Sequence, residues 1–263
     1  MKRQMRRTGR RHPLATVALL ALGLTFTGGA YAAFSASTAQ ANVDLTSAAT
    51  VEEGKKLFQA NCATCHGLSA EGTAAGPSLI GVGAASVDFQ VGTGRMPLQM
   101  SGPQAEVKPP QFTDEQTKAL AAYVASLAPG PAIPAADLVE GGGDAANGAE
   151  LFRINCAMCH NVAGAGGALT EGKFAPELTS VTGTHIYEAM VTGPQNMPVF
   201  NDLNITPEDK RDIITYLKYV QDTPSPGGYE LGALGPVAEG LFIWIFGLGL
   251  IVGITVWITA KSN

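Results

Sequence analysis

Two short runs of the chain, Cys62-Ala-Thr-Cys65-His66 and Cys156-Ala-Met-Cys159-His160, each place two thiols and an imidazole within five residues. In a protein exported across a membrane, this Cys-x-x-Cys-His pentapeptide is the attachment signal for c-type haem. Each thiol adds to a porphyrin vinyl group, and the adjacent histidine supplies one axial nitrogen to iron. The expected cofactors are therefore two covalently bound haems c, attached through Cys62, Cys65, Cys156 and Cys159, with His66 and His160 as axial ligands. A zinc site would want a second cysteine pair about 15 to 20 residues from the first; here the next pair stands in a separate repeat. A thioredoxin-like dithiol would sit at a strand-to-helix junction of an α/β pattern, which this chain does not have. All four cysteines are used by the two motifs, so none remains for a disulfide.

Each iron needs a ligand across the ring from its histidine. Met96 and Met197 are the candidates, because each stands in a polar, glycine-containing stretch and is followed by a proline that restrains the methionine backbone. A thioether ligand raises the reduction potential relative to a second imidazole. Met100 is the rival in the first half and His185 in the second, where bis-histidine ligation would lower the potential. Met158 lies between two cysteines and cannot cross the ring, and Met190 reads as core on a short apolar helical stretch. Pro77 and Pro176 follow their histidines at similar intervals. A backbone carbonyl there accepts the hydrogen bond from the second nitrogen of the axial imidazole, so both prolines are expected to support the ligands from behind.

The elements that must position these groups come in duplicate. Gly54-Lys-Lys-Leu-Phe58 leads into the first motif as Gly148-Ala-Glu-Leu-Phe152 leads into the second. Gly76-Pro-Ser-Leu79 pairs with Ala175-Pro-Glu-Leu178, Met96-Pro97 with Met197-Pro198, and 113–128 with 206–221. Four landmarks in one order imply a duplicated domain. Each copy opens with a helix, around residues 51–60 in the first. Each closes with another, begun by Thr113 with Gln116 or by Thr206 with Pro207 and Asp209. Leu120, Tyr123, Val124 and Leu127, like Ile213, Ile214, Leu217 and Val220, recur at helical spacing and form the expected core. Glycine and proline in the middle of each copy read as loops around the porphyrin edge. A domain of roughly 80 residues buries little surface unaided, so a covalently held haem is expected to complete each core.

The ends carry membrane signals. Six basic residues between Lys2 and Arg11 precede an uncharged stretch from Leu14 to Phe34, which sets the orientation with everything beyond it exported. Residues 1–34 read as a Sec-type signal peptide, with Ala30-Tyr31-Ala32 as a cleavage site, or as a retained anchor. Residues 241–260 are uncharged and long enough to span a ~30 Å hydrocarbon core, with Trp244 and Trp257 toward the two interfaces. Gly249 and Gly253 form a small-xxx-small pair that admits a neighbouring helix. Between these segments, residues 44–230 hold 21 of the 22 acidic but 10 of the 17 basic residues, a formal charge of −11. That disfavours nucleic-acid binding.

The chain as a whole resembles the dihaem cytochrome c subunit, cytochrome cc, of actinobacterial menaquinol-oxidising cytochrome bcc complexes. Gly76-Pro-Ser-Leu-Ile-Gly-Val-Gly83, Phe89-Gln-Val-Gly-Thr-Gly-Arg-Met-Pro97, Gly193-Pro-Gln-Asn-Met-Pro198 and Lys210-Arg-Asp-Ile213 carry the resemblance, followed by a Pro/Gly stretch and one C-terminal membrane helix. It implies an all-α fold of two tandem class I cytochrome c domains, 45–128 and 144–222, joined by a linker at 129–143. A second linker at 223–240 leads to the transmembrane helix at 241–260. The implied partners are a cytochrome b subunit, a Rieske iron-sulfur subunit and an aa-type cytochrome c oxidase, with the haem domains on the extracytoplasmic side of the plasma membrane. The chain would then be the electron-transfer subunit of a quinol–cytochrome c reductase, with no substrate chemistry of its own. A free-standing tethered electron carrier and a dihaem peroxidase are the alternatives, and methionine candidates in both copies argue against the second.

Overall fold

The computed structural model describes residues 13–38, 43–100, 102–223 and 236–261. The basic flank at 2–11 and most of the Pro/Gly stretch at 223–240 lie outside those residues. Among the described residues twelve α-helices carry the fold: α1 (Pro13–Thr38), α2 (Ala48–Asn61), α3 (Ala63–His66), α4 (Gly83–Gly92), α5 (Asp114–Leu127), α6 (Ala136–Val139), α7 (Ala145–Asn155), α8 (Ala157–His160), α9 (Gly183–Thr192), α10 (Pro207–Asp222), α11 (Pro236–Phe242) and α12 (Gly249–Lys261). A π-helical stretch, Ile243–Leu248, makes α11 and α12 continuous. The only strands among the described residues are β1 (Gly167–Ala168) and β2 (Phe174–Ala175), a short antiparallel pair.

Helix α1 belongs to a unit of its own, and the chain from Leu45 onward forms the other. Both α1 and the C-terminal helix contain spans apolar and long enough to cross a membrane, Leu14–Tyr31 and Glu239–Lys261, with none of either span buried by protein. A core helix would hide its apolar side chains. Trp244 and Trp257 are exposed, and the Lys261 ammonium lies 4.9 Å from the Trp257 ring.

The duplication is visible in the packing. Helix α2 crosses α5, and α7 crosses α10, with one aromatic pair at each crossing. Phe58 and Tyr123 stand 5.2 Å apart at 50°, Phe152 and Tyr216 5.5 Å apart at 50°. Both closing helices start with reciprocal caps. The Thr113 hydroxyl accepts from the Gln116 N–H while Gln116 Oε1 accepts from the Thr113 N–H, and Thr206 and Asp209 do the same. Ser47 and Asp144 cap the opening helices.

The middle of each copy is more ordered than its glycine content implies. Ten-residue helices α4 and α9 form there, each placed just before its methionine loop. Thr182 caps α9 and Gly193 ends it in the left-handed conformation, so local glycines here terminate a helix instead of replacing one. The connection between the copies is held down as well. The Pro131 carbonyl accepts from the Ala85 N–H at 3.1 Å, and the Val139 carbonyl lies against Gly183.

Close approach of the crossing helices depends on Gly54 and Gly148. A Cβ at Gly54 would run into the Ala119 carbonyl, and one at Gly148 into the Asp212 carbonyl. Backbone cannot yield as a flexible side chain can, so Gly148→Ala is expected to destabilise the second domain by about 1–3 kcal/mol. A thermal unfolding midpoint equal to that of the unsubstituted protein would contradict this.

Candidate haem sites

Each Cys-x-x-Cys-His run is a single helical turn, capped by its first cysteine, that follows directly on the opening helix. The Cys62 N–H bonds back to the Phe58 carbonyl and the His66 N–H to the Cys62 carbonyl; Cys156 and His160 repeat both contacts. One turn of helix, α3 or α8, thus presents both sulfurs and the imidazole. All four cysteines are free thiols. Burial, with the neighbouring cysteine second, pushes the thiols of Cys62 and Cys156 up to about 11.

The imidazoles are fixed from behind. His66 Nδ1 lies 2.8 Å from the Pro77 carbonyl and His160 Nδ1 2.9 Å from that of Pro176. A carbonyl only accepts, so the bond keeps the proton on Nδ1 and leaves Nε2 bare for a metal. Burial lowers the pKa of His160, while the Pro176 hydrogen bond partly offsets this.

Met96 and Met197 pack at the edges of the first and second cores. Met100 is 78% exposed and Met158 92% exposed. Met190 is buried in the second core. His185 borders the second cavity, but its ring is edge-on to Phe89, and its Nε2 would sit 3.2 Å from a Cβ at Gly92. It faces the first domain.

A cavity of about 540 Å³ opens in front of Cys156, Cys159, His160 and Met197, walled by Phe152, Met190, Ile213 and Leu217. Bare Nε2, free thiols, a thioether and an apolar chamber form a donor set that fits a covalently held haem. The cavity has a second wall that the sequence did not reveal. Phe89, Arg95, Gln104 and Lys108 of the first copy line it too.

A duplicated helical domain with this donor set is a c-type cytochrome domain, and the comparisons agree. Residues 51–128 match the family model for cytochrome c, and residues 143–217 match that for cytochrome c oxidase, cbb3-type, subunit III. The cytochrome bc1 complex cytochrome c subunit of Corynebacterium efficiens is 42% identical over 277 residues, covering 99% of this chain and 92% of its own length. The subunit of that name from Mycobacterium tuberculosis is 43% identical, covering 99% of this chain and 95% of its own. A cytochrome c-553-like protein of Synechocystis is 40% identical over 67 residues, 24% of this chain and 60% of its own. The chain belongs to the family of cytochrome bc1 complex cytochrome c subunits: a membrane-associated, haem-c-binding electron-transport protein with two cytochrome c domains.

Where α4 meets α9, Asp88, His185 and Glu188 bring ligand atoms within 4.8 Å of one another. Glu188 is fully buried, and both its oxygens lack a partner at hydrogen-bonding geometry. Burial first, then the charge of nearby Asp88, pushes its carboxyl up to about 10. His185 is shifted down, chiefly by burial, with Asp88 and Asp114 opposing and Arg95 reinforcing the shift. A carboxyl raised on folding contributes stability that is complete below its ordinary value and fades as pH rises toward 10. The Glu188 contribution to unfolding free energy should therefore fall between pH 5 and pH 9, by up to about 1 kcal/mol per unit, while the lowered His160 and His185 act in the opposite direction around neutral pH. Glu188→Gln, neutral throughout, should flatten that slope; parallel pH profiles for the two proteins would refute the assignment.

Proposed function

We propose that the chain is the dihaem relay of a quinol-oxidising bc1-type complex, passing electrons from a Rieske iron-sulfur protein to an aa-type terminal oxidase. The carrying observation is that both copies present one donor set: two thiols, an imidazole with its proton held on Nδ1, and a methionine at the core edge. Cys62, Cys65, Cys156 and Cys159 hold the two haems, His66, Met96, His160 and Met197 ligate iron, and the Pro77 and Pro176 carbonyls orient the imidazoles. When bound, haem c supplies one-electron ferric–ferrous chemistry.

The protein's own contribution would be one histidine and one methionine for each iron, His66 with Met96 and His160 with Met197, from two domains of a single chain. Two filled positions leave no vacancy for peroxide, which disfavours the peroxidase reading. The domains span 45–128 and 144–222, and one chain carrying both makes transfer between them independent of a diffusing carrier's concentration. The relatives' names support assembly with the other subunits of a cytochrome bc1 complex, and a cytochrome b and a Rieske subunit are the partners we propose there. The C-terminal helix supports anchoring in a membrane, and we place the haem domains outside the plasma membrane; among the described residues no other element stands within 4 Å of a Cβ at Gly249 or Gly253, leaving that face open to a neighbouring helix.

Met96→Leu should abolish the weak far-red sulfur-to-iron band of the first haem and lower its potential, whereas Met100→Leu should leave both unchanged. The reverse pattern would move the ligand. Met197→Leu should stop menaquinol-driven oxygen uptake by the purified assembly while the first haem is still reduced by quinol. Normal uptake without added soluble cytochrome would take the second haem off the obligatory path.

A further inference from the structure

We propose that Arg95, a residue of the first domain, is the cation that anchors a propionate of the haem held by the second domain. This rests on the dihaem reading above. Arg95 is 7% exposed. Among the described residues its guanidinium has no hydrogen bond and no ion pair; the Phe89 ring face, 4.6 Å from its carbon, is its one close partner. A guanidinium keeps its charge in any folded protein, and leaving it buried without an anion is costly.

The missing anion has a defined place. Arg95 lines the cavity in front of His160 and Met197, and its guanidinium nitrogens are not sealed off in the interior, so an anion in that cavity can reach them. Lys108 lines the same wall, with its Nζ donating one bond to the Pro97 carbonyl at 2.8 Å. These are the two Lys or Arg side chains on the cavity, and both come from the first domain. The acidic groups on that side, Asp88, Glu177 and Glu188, do not pair with Arg95. Haem brings two propionates, and a planar guanidinium meets a carboxylate with two parallel hydrogen bonds. The second haem would thus be seated by both domains, and the fixed charge would favour its reduced form.

The test uses the full-length protein in detergent, with a pyridine haemochrome assay on each sample and a spectroelectrochemical titration of both haems. The wave displaced by Met197→His identifies the second haem. Arg95→Gln should lower the potential of that wave several-fold in the reduction equilibrium, where tenfold is ~59 mV for one electron, and leave the first haem's wave and far-red band in place. Arg95→Lys should restore most of the shift. A Gln variant that fails to load the second haem beside a Lys variant that loads both also supports the proposal. An unmoved second wave, a shift confined to the first haem, or loss of loading in both variants would overturn it. Fewer than two haems in the unsubstituted protein would instead defeat the dihaem reading.

Discussion

The bond from each axial imidazole to a proline carbonyl is the constraint on which the rest of the structure turns. It links residues 11 apart in the first copy and 16 apart in the second, tying the cysteine turn of each domain to the proline loop behind its imidazole. It sets the tautomer, the ring plane and the direction of the bare nitrogen in a single contact. The crossing of the opening and closing helices then has to hold the cysteine turn rigid. Glycines at the crossing and the repeated aromatic pair achieve that, because helices that approach until backbone meets backbone have no room to slide.

The two copies join where their repetition breaks. The extra residues between His160 and Pro176 form the β1–β2 hairpin, and the Phe174 N–H donates to Gln104 Oε1 at 2.9 Å. Gln104 lies in the stretch between Met96 and Thr113, which is eight residues longer than the stretch between Met197 and Thr206. Each copy has therefore been extended toward the other. Helices α4 and α9 fill the space between, with Phe89 against His185 and the neutral Glu188 beneath. An interface of packed helices crossed by side-chain-to-backbone hydrogen bonds has one seating, since sliding it would break those bonds and open voids. Such an interface suits two centres whose separation must stay fixed.

What the amino-acid order settled by itself was local or repeated. The Cys-x-x-Cys-His turn, the caps at Thr113 and Thr206, the apolar stripe of each closing helix and the terminal apolar spans are all short-range patterns, and each dictates its structure through neighbouring residues. The all-α fold of two cytochrome c domains followed from them. Tertiary structure decided the rest. The glycine-rich middle of each copy became a helix because packing against α5 or α10 outweighed weak propensity. Arg95, Lys108 and Gln104 became part of the second cavity although they lie about 50 residues or more from its nearest cysteine. No periodicity announces a contact between separate domains, because it depends on how two finished surfaces fit together and not on the spacing of residues along either chain segment.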